Sequence, residues 1–462
     1  MSDVAERRTG RVDGAIELDA LVIGAGFAGL YQLLSLRDRL GLSVKALEAG
    51  SGVGGTWYWN RYPGARCDSE SHVYWYTFSA ELMREWEWSE RYPGQAEILR
   101  YLNFVADKLD LKRNIQFNSR VASAHYDATA NRWRVRTEQG ETFVVKFLVT
   151  AVGCLSTANV PKIPGLQDFK GSWYHTGQWP HDGVDFTGKR VGMIGTGSTG
   201  IQAAPVIAAQ AKHLTVFQRT ANYSVPARNV PLTPEFKQYV KENAGAIRAA
   251  THETYNGMAF KVEDRKAVET PPEEREKIYE AAWERGGLQF RAAFHDMLFS
   301  KEANDTASDF IKRKIRSIVK DPKTAAILSN IDHPYAAKRP PIDTDYFETY
   351  NRPNVSLVDV KATPIERISE AGICTTEGEY PVDIIVFATG FDAMTGPLLR
   401  MDIRGRDGVA LKDVWEAGPR NYLGLQVAGF PNLFTITGPG SPSVLCNMPV
   451  AIAQHADWIT DC

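Results

Sequence analysis

The chain has 462 residues, 44% hydrophobic and 23% charged, with a formal net charge of −2, an ordinary globular balance long enough for two or three domains with ample cores. So small a charge offers no broad attraction to nucleic acid or anionic lipid, no apolar run approaches the roughly 18 residues of a membrane span, and the polar stretch 1–14 lacks a signal-peptide core, so a cytoplasmic protein is expected. Five scattered cysteines, Cys67, Cys154, Cys374, Cys446 and Cys462, form no close pair, which argues against metal clusters, a disulfide framework and a redox dithiol.

Residues 16–23 read as a buried parallel strand and 29–40 as the helix after it, with Leu30, Leu33, Leu34 and Leu36 available to the packed face. Between them stands Gly24-Ala25-Gly26-Phe27-Ala28-Gly29. Glycines at this spacing permit a tight strand-to-helix turn, let the backbone approach a pyrophosphate and aim a helix N-terminus at its charge. Glu48 ends the next apolar run, where a carboxylate accepts hydrogen bonds from a free ribose diol, as in FAD or NAD. Residues 132–136 and 141–148 look like antiparallel strands around Glu138-Gln139-Gly140, leading into the apolar segment 147–153.

A second fingerprint follows, Gly195-Thr196-Gly197-Ser198-Thr199-Gly200. Its counterpart of Glu48 is Arg219, at the same distance from the first glycine, and arginine suits the extra 2′-phosphate of NADP. The first site therefore reads as FAD and the second as NADPH, with Thr220 as a further hydroxyl donor; an ordinary polar strand end is the alternative for 218–220. Residues 231–331 turn charged and helical in period, the pattern of an insertion or of an independent helical domain. Residues 384–390 form a second apolar strand, read as the return to the first domain. The expected fold is α/β: two Rossmann-like dinucleotide-binding domains, for FAD and NADP, with a helical insertion. The FAD domain would occupy 15–155 and 384–462, the NADP domain 183–230 and 332–383, the linker 156–182 and the insertion 231–331.

The linker carries Phe169-Lys170-Gly171-Ser172-Trp173-Tyr174-His175-Thr176-Gly177-Gln178-Trp179-Pro180. This closely resembles the FxGxxxHxxxWP signature of type I Baeyer-Villiger monooxygenases. A second pattern runs from Gly54 and Gly55 through Thr56, Trp57, Tyr62-Pro63-Gly64 to Asp68, and looks most like the phenylacetone and steroid monooxygenase branch. The resemblance implies an NADPH- and O2-dependent flavin enzyme that inserts one oxygen atom beside a ketone carbonyl, through a C4a-peroxyflavin, to give an ester or lactone. It also implies roles. Arg339 matches the active-site arginine that holds negative charge on oxygen, and Asp68 the carboxylate set against it. Gly55, Thr56, Trp57, Asp68 and Tyr74 would contact the flavin or nicotinamide, and Gln202 and Lys338 would join Arg219 at NADP. Leu155, Ser443, Val444, Leu445 and Met448 would line the ketone pocket. Phe169, Gly171, His175, Trp179 and Pro180 would fix domain orientation instead of moving protons.

Two other readings stay open on the residues alone. One is a flavin enzyme that hydroxylates amines or sulfides, which shares the fingerprints; the other is a nucleotide-binding flavoprotein without turnover. Family members usually continue past the position of Cys462, whereas this chain stops inside a predicted helix, 449–462. Partners are expected to be a small ketone and O2, with no nucleic acid, membrane or metal, in a monomer or weak homo-oligomer.

Overall fold

The structure is a computed structural model that describes residues 10–12, 14–254 and 256–462, so most of the polar stretch 1–14 lies outside the described residues. Two sheets organise the chain. In the first, Ala15–Ile23 lies between Val44–Leu47 and Thr142–Thr150, parallel to both. Its apolar run is buried on both faces at its C-terminal end, as a central strand of a parallel sheet must be. Arg132–Thr137 and Val121–Asp127 continue outward as the antiparallel pair read from the sequence. Leu433–Thr435 joins Thr142–Thr150 in parallel, and Asp402–Arg404 extends the far edge.

The helix after the first strand spans Phe27–Leu34, beginning two residues earlier than predicted and passing into a π-helical turn at Ser35–Arg39. Leu30, Leu33 and Leu36 are buried as expected. They share a core with Ile452, Ala456 and Ile459 of the helix Met448–Asp461, and two hydrogen bonds lock the pair: Tyr31 to Asp457 at 2.8 Å and Gln32 to Thr460 at 3.1 Å.

The second sheet is wholly parallel, in the order Val355–Asp359, His213–Gln218, Arg190–Ile194, Ile384–Phe387, Ser172–His175. Two expectations are corrected here. Ile384–Phe387 does not return to the first sheet: Val386 pairs with Met193 of the second. A four-residue apolar run reports burial on both faces but not which sheet does the burying. The chain re-enters the first sheet only at Asp402–Arg404. Likewise, Ser172–His175 is not a bare linker but the edge strand of the second sheet.

The two passages between the sheets, one after Thr150 and one after Phe387, run side by side. Asn159 donates its amide to the Gly390 carbonyl at 3.0 Å, Thr389 its hydroxyl to the Asn159 carbonyl at 2.6 Å, and Asp392 its amide to Thr157 at 2.9 Å. Between 231 and 331 the named elements are helices, from Pro234–Glu242 to Pro322–Ser329. Tyr279, Phe290 and Phe310 stack among them, in one core with Ala204, Ile207 and Val216 around the second sheet. A continuous core of this kind makes the segment part of its neighbour and not an independent unit. Among the described residues, no helix is long and apolar enough to cross a membrane.

Candidate active site

Each fingerprint forms the turn its spacing requires, and the two repeat each other's backbone. Gly24 and Gly195 take φ of +106° and +111°, a region costly for side chains, and Gly26 and Gly197 both adopt extended conformations at the N-caps of Phe27–Leu34 and Ser198–Gln210. At Gly29 and Gly200 a Cβ would stand 1.9 and 2.3 Å from the carbonyl of the first glycine, so helix and strand approach as closely as backbone allows. A Cβ at Gly197 would meet nothing within 4 Å. Packing does not demand that glycine; an open approach for a ligand does. Neither helix is capped by a side chain, which leaves first-turn N–H groups for an anion.

Glu48 is buried, and its two oxygens accept amide N–H groups from Ala25 (2.8 Å) and Gly50 (2.7 Å). Burial pushes its carboxyl up from the ordinary value while those amides pull it down. A carboxylate so held keeps lone pairs for a ribose diol. Arg219 and Lys338 are exposed and make no hydrogen bond or ion pair among the described residues, and Thr220 is half-buried. The pair suits a phosphate dianion. These residues fit FAD at the first site and NADP at the second.

Arg339 and Asp68, 271 residues apart, meet in a bidentate pair. Arg339 Nε donates to Asp68 Oδ2 at 3.0 Å and Nη2 to Oδ1 at 2.7 Å, while Nη1 donates to the Val444 carbonyl. The carboxylate holds the guanidinium's pKa above its ordinary value against the opposing effect of burial. Of the five N–H groups of an arginine, donors remain on Nη1 and Nη2, and 32% of the side chain is still accessible. Two residues fix the backbone of this loop to the segment just after Arg219. Asn222 donates to the Arg339 carbonyl at 3.3 Å, and the Ser224 hydroxyl lies within hydrogen-bond reach of the Pro341 carbonyl at 3.3 Å and of the buried Asp343 carboxyl at 2.5 Å, beside the paired strands Val225–Pro226 and Ile342–Asp343.

Trp57, in the short helix Thr56–Trp59, donates its indole N–H to Tyr74 at 3.2 Å, and Gly55 at that helix's N-cap lies against Gly26. Burial drives the Tyr74 phenol well above its ordinary value, so it stays neutral. The Gln202 side-chain amide donates to the Arg66 carbonyl at 3.1 Å and accepts from the Tyr62 hydroxyl at 2.8 Å. It clasps the second domain's helix onto the first domain's loop, where a Cβ on Gly64 (φ +81°) would stand 2.3 Å from the Gln202 carbonyl.

Of the proposed pocket residues, Leu155 and Met448 are half-buried and Ser443 is buried, whereas Val444 contributes its carbonyl. Leu445 is 74% exposed. In the signature motif, Phe169 and Trp179 are core residues, Pro180 is half-buried, and a Cβ on Gly171 would strike the Asp383 carbonyl at 2.3 Å. His175 is buried behind the laced passages, and its Nδ1 accepts the Gly177 amide at 3.0 Å. Burial lowers its pKa. The clasp of Tyr62 and Gln202 and the anchors Asn222, Ser224 and Asp343 join residues more than 100 positions apart, for which a sequence carries no local signal.

Residues 19–229 match the flavin-binding monooxygenase-like family. A Baeyer-Villiger monooxygenase of Pseudooceanicola batsensis is 49% identical over 449 residues, covering 96% of this chain and 81% of that protein. Among solved structures, oxidized steroid monooxygenase bound to NADP aligns at a TM-score of 0.93 and 53% identity, over 96% of this chain and 85% of that one. OTEMO in complex with FAD and NADP aligns at 0.93 and 44%, again over 96% and 85%.

Proposed function

The chain belongs to the type I Baeyer-Villiger monooxygenases, and from that premise we propose that Arg339, held by Asp68, is the residue on which oxygen transfer to the ketone depends. The enzyme is an FAD-containing, NADPH-dependent monooxygenase that inserts an oxygen atom beside a ketone carbonyl. When bound, FAD takes hydride from NADPH and activates O2 for transfer of one oxygen atom. The chain's own work is to bind, orient and balance charge.

Arg339 cannot lose its proton at any working pH, so its free N–H groups offer a fixed positive field to negative charge developing on oxygen. Asp68 spends both oxygens on that guanidinium, fixing its plane while leaving donors free. The Val444 carbonyl restrains Nη1 from the pocket side, which makes the turn at 443–446 both wall and support. Trp57 and Tyr74, buried and neutral, exclude water around the same pair. Glu48 selects the cofactor with a free ribose diol, and Arg219 with Lys338 the one with a 2′-phosphate.

The observation that carries this reading is the bidentate Arg339–Asp68 contact between two domains. We propose open-chain, aryl or steroid-like ketones as substrates, supported by the identity to steroid monooxygenase. Incubation with NADPH, O2 and a panel of linear, aryl, cyclic and steroidal ketones, with products identified by mass spectrometry, tests the class. In the same assay Arg339→Ala is expected to keep FAD and its reduction by NADPH while losing ester formation. Ester yield at the level of the unmodified enzyme would remove Arg339 from its role.

A further inference from the structure

A file of packed aromatic rings, all oxidisable except Phe27, leads from the Asp68–Arg339 site to the protein surface. It begins at Trp57 and Tyr74, whose rings meet edge to face at 5.9 Å, joined by the indole-to-phenol hydrogen bond. Phe27 packs on Tyr74 at 5.3 Å and on Tyr76 at 5.0 Å, so it bridges the two tyrosines. Tyr76 lies 6.1 Å from Tyr101, and the Tyr76 amide donates to the Tyr101 hydroxyl at 2.8 Å. Tyr101 then touches Trp88 at 5.1 Å and Trp86 at 5.3 Å. Trp86 is partly exposed, and its ring is 5.6 Å from that of Trp88.

Packing alone does not account for this choice of residues. The indole N–H groups of Trp86 and Trp88 are buried without a hydrogen-bond partner, a cost that phenylalanine would not incur at either position. What tryptophan and tyrosine offer and phenylalanine lacks is the ability to give up an electron and take it back. An indole with no acceptor for its proton keeps that proton when oxidised, so the charge moves on without a proton to return. Tyr76 can share its phenolic proton with the Phe27 carbonyl, 2.7 Å away, and recover it on reduction.

We propose that these rings form an electron relay, which refills an electron vacancy created beside the flavin from a one-electron reductant at Trp86. When oxidised flavin is excited by blue light, Trp57 gives it one electron. The vacancy then passes by single-electron steps through Tyr74, Tyr76 and Tyr101 to Trp88 and Trp86, with Phe27 filling the gap between Tyr74 and Tyr76 without being oxidised itself. Ascorbate in solution restores the last ring. One electron has gone from ascorbate to flavin, and every side chain ends as it began.

The inference rests on the placement of Trp57 at the flavin, and the experiment separates the two. The FAD-loaded enzyme is illuminated anaerobically with ascorbate and without NADPH, and the bleaching of flavin absorption is followed alongside transient absorption of tryptophan radicals. The double variant Trp86→Phe/Trp88→Phe should bleach several-fold more slowly and lose the long-lived tryptophan radical, with FAD content and dark reduction by NADPH unchanged. Trp57→Phe should brighten flavin fluorescence, because the nearest electron donor is gone. If it does not, the placement of Trp57 is wrong and the relay has no entrance. If it does, but the double variant bleaches like the unmodified enzyme, the placement stands and the relay is overturned.

Discussion

Arg219 carries a charge that no acidic group in the described structure answers, exposed just past the end of the strand His213–Gln218. Burying a counter-ion there would have satisfied the protein but closed the site to phosphate. Arg219→Ala is therefore expected to raise KM for NADPH far more than for NADH, since only NADPH has the 2′-phosphate. Loss of one charged hydrogen bond, about 1.5–3 kcal/mol, corresponds to roughly tenfold to a hundredfold. Equal effects in steady-state kinetics with both coenzymes would show that Arg219 serves something else. At this scale the sequence was most legible where function is local: Glu48 and Arg219 each follow a glycine turn at a fixed spacing, because strand and turn lengths are set by backbone geometry. Gln202 shows the limit. Its amide oxygen accepts from Tyr62, 140 positions away, and nothing in its neighbours announces that partner.

Elements were read well where a period or a turn residue defined them and poorly where only burial did. The antiparallel pair around Glu138-Gln139-Gly140 stands as expected because alternation and turn agree. Ile384–Phe387 was assigned to the wrong sheet, since apolar residues alone carry no address. The helix Ser198–Gln210 gives a direct test of contact between elements. Gly64→Ala must displace the Gln202 carbonyl or its own loop, at a cost of about 1–3 kcal/mol. The variant should keep FAD but show a raised KM for NADPH and a lowered Tm, read by coenzyme titration and thermal denaturation; unchanged values would mean that loop and helix move independently. On the edge strand Ser172–His175, His175→Ala removes the acceptor of the Gly177 amide. Flavin reduction should slow and more NADPH should end as hydrogen peroxide, while both limbs of the pH–rate profile persist. Loss of one limb with reduction still fast would instead make His175 an acid or base.

For the molecule as a whole, stability should depend on pH through groups far from the reacting atoms. Burial raises the Asp343 carboxyl from 3.8 to about 7. The folded chain thus holds this proton more tightly than the unfolded chain, so the contribution is complete below 3.8 and is lost as pH rises through about 7. His175 and His455, lowered by burial, act in the opposite sense: their contribution is present above their unfolded value of 6.5 and is lost as pH falls. Asp343→Asn removes the acidic member alone and should therefore raise Tm more at pH 8 than at pH 5 in thermal denaturation. Equal shifts at both pH values would show that Asp343 keeps its ordinary titration. A different consequence follows from the laced passages at Asn159 and Gly390. Two covalent tethers hydrogen-bonded side by side resist sliding and twisting but yield to bending, so they act as the pin of a door. Arg339, fastened through Asn222 and Ser224 to the second domain and through Asp68 to the first, is a second fastening between the parts that this pin joins.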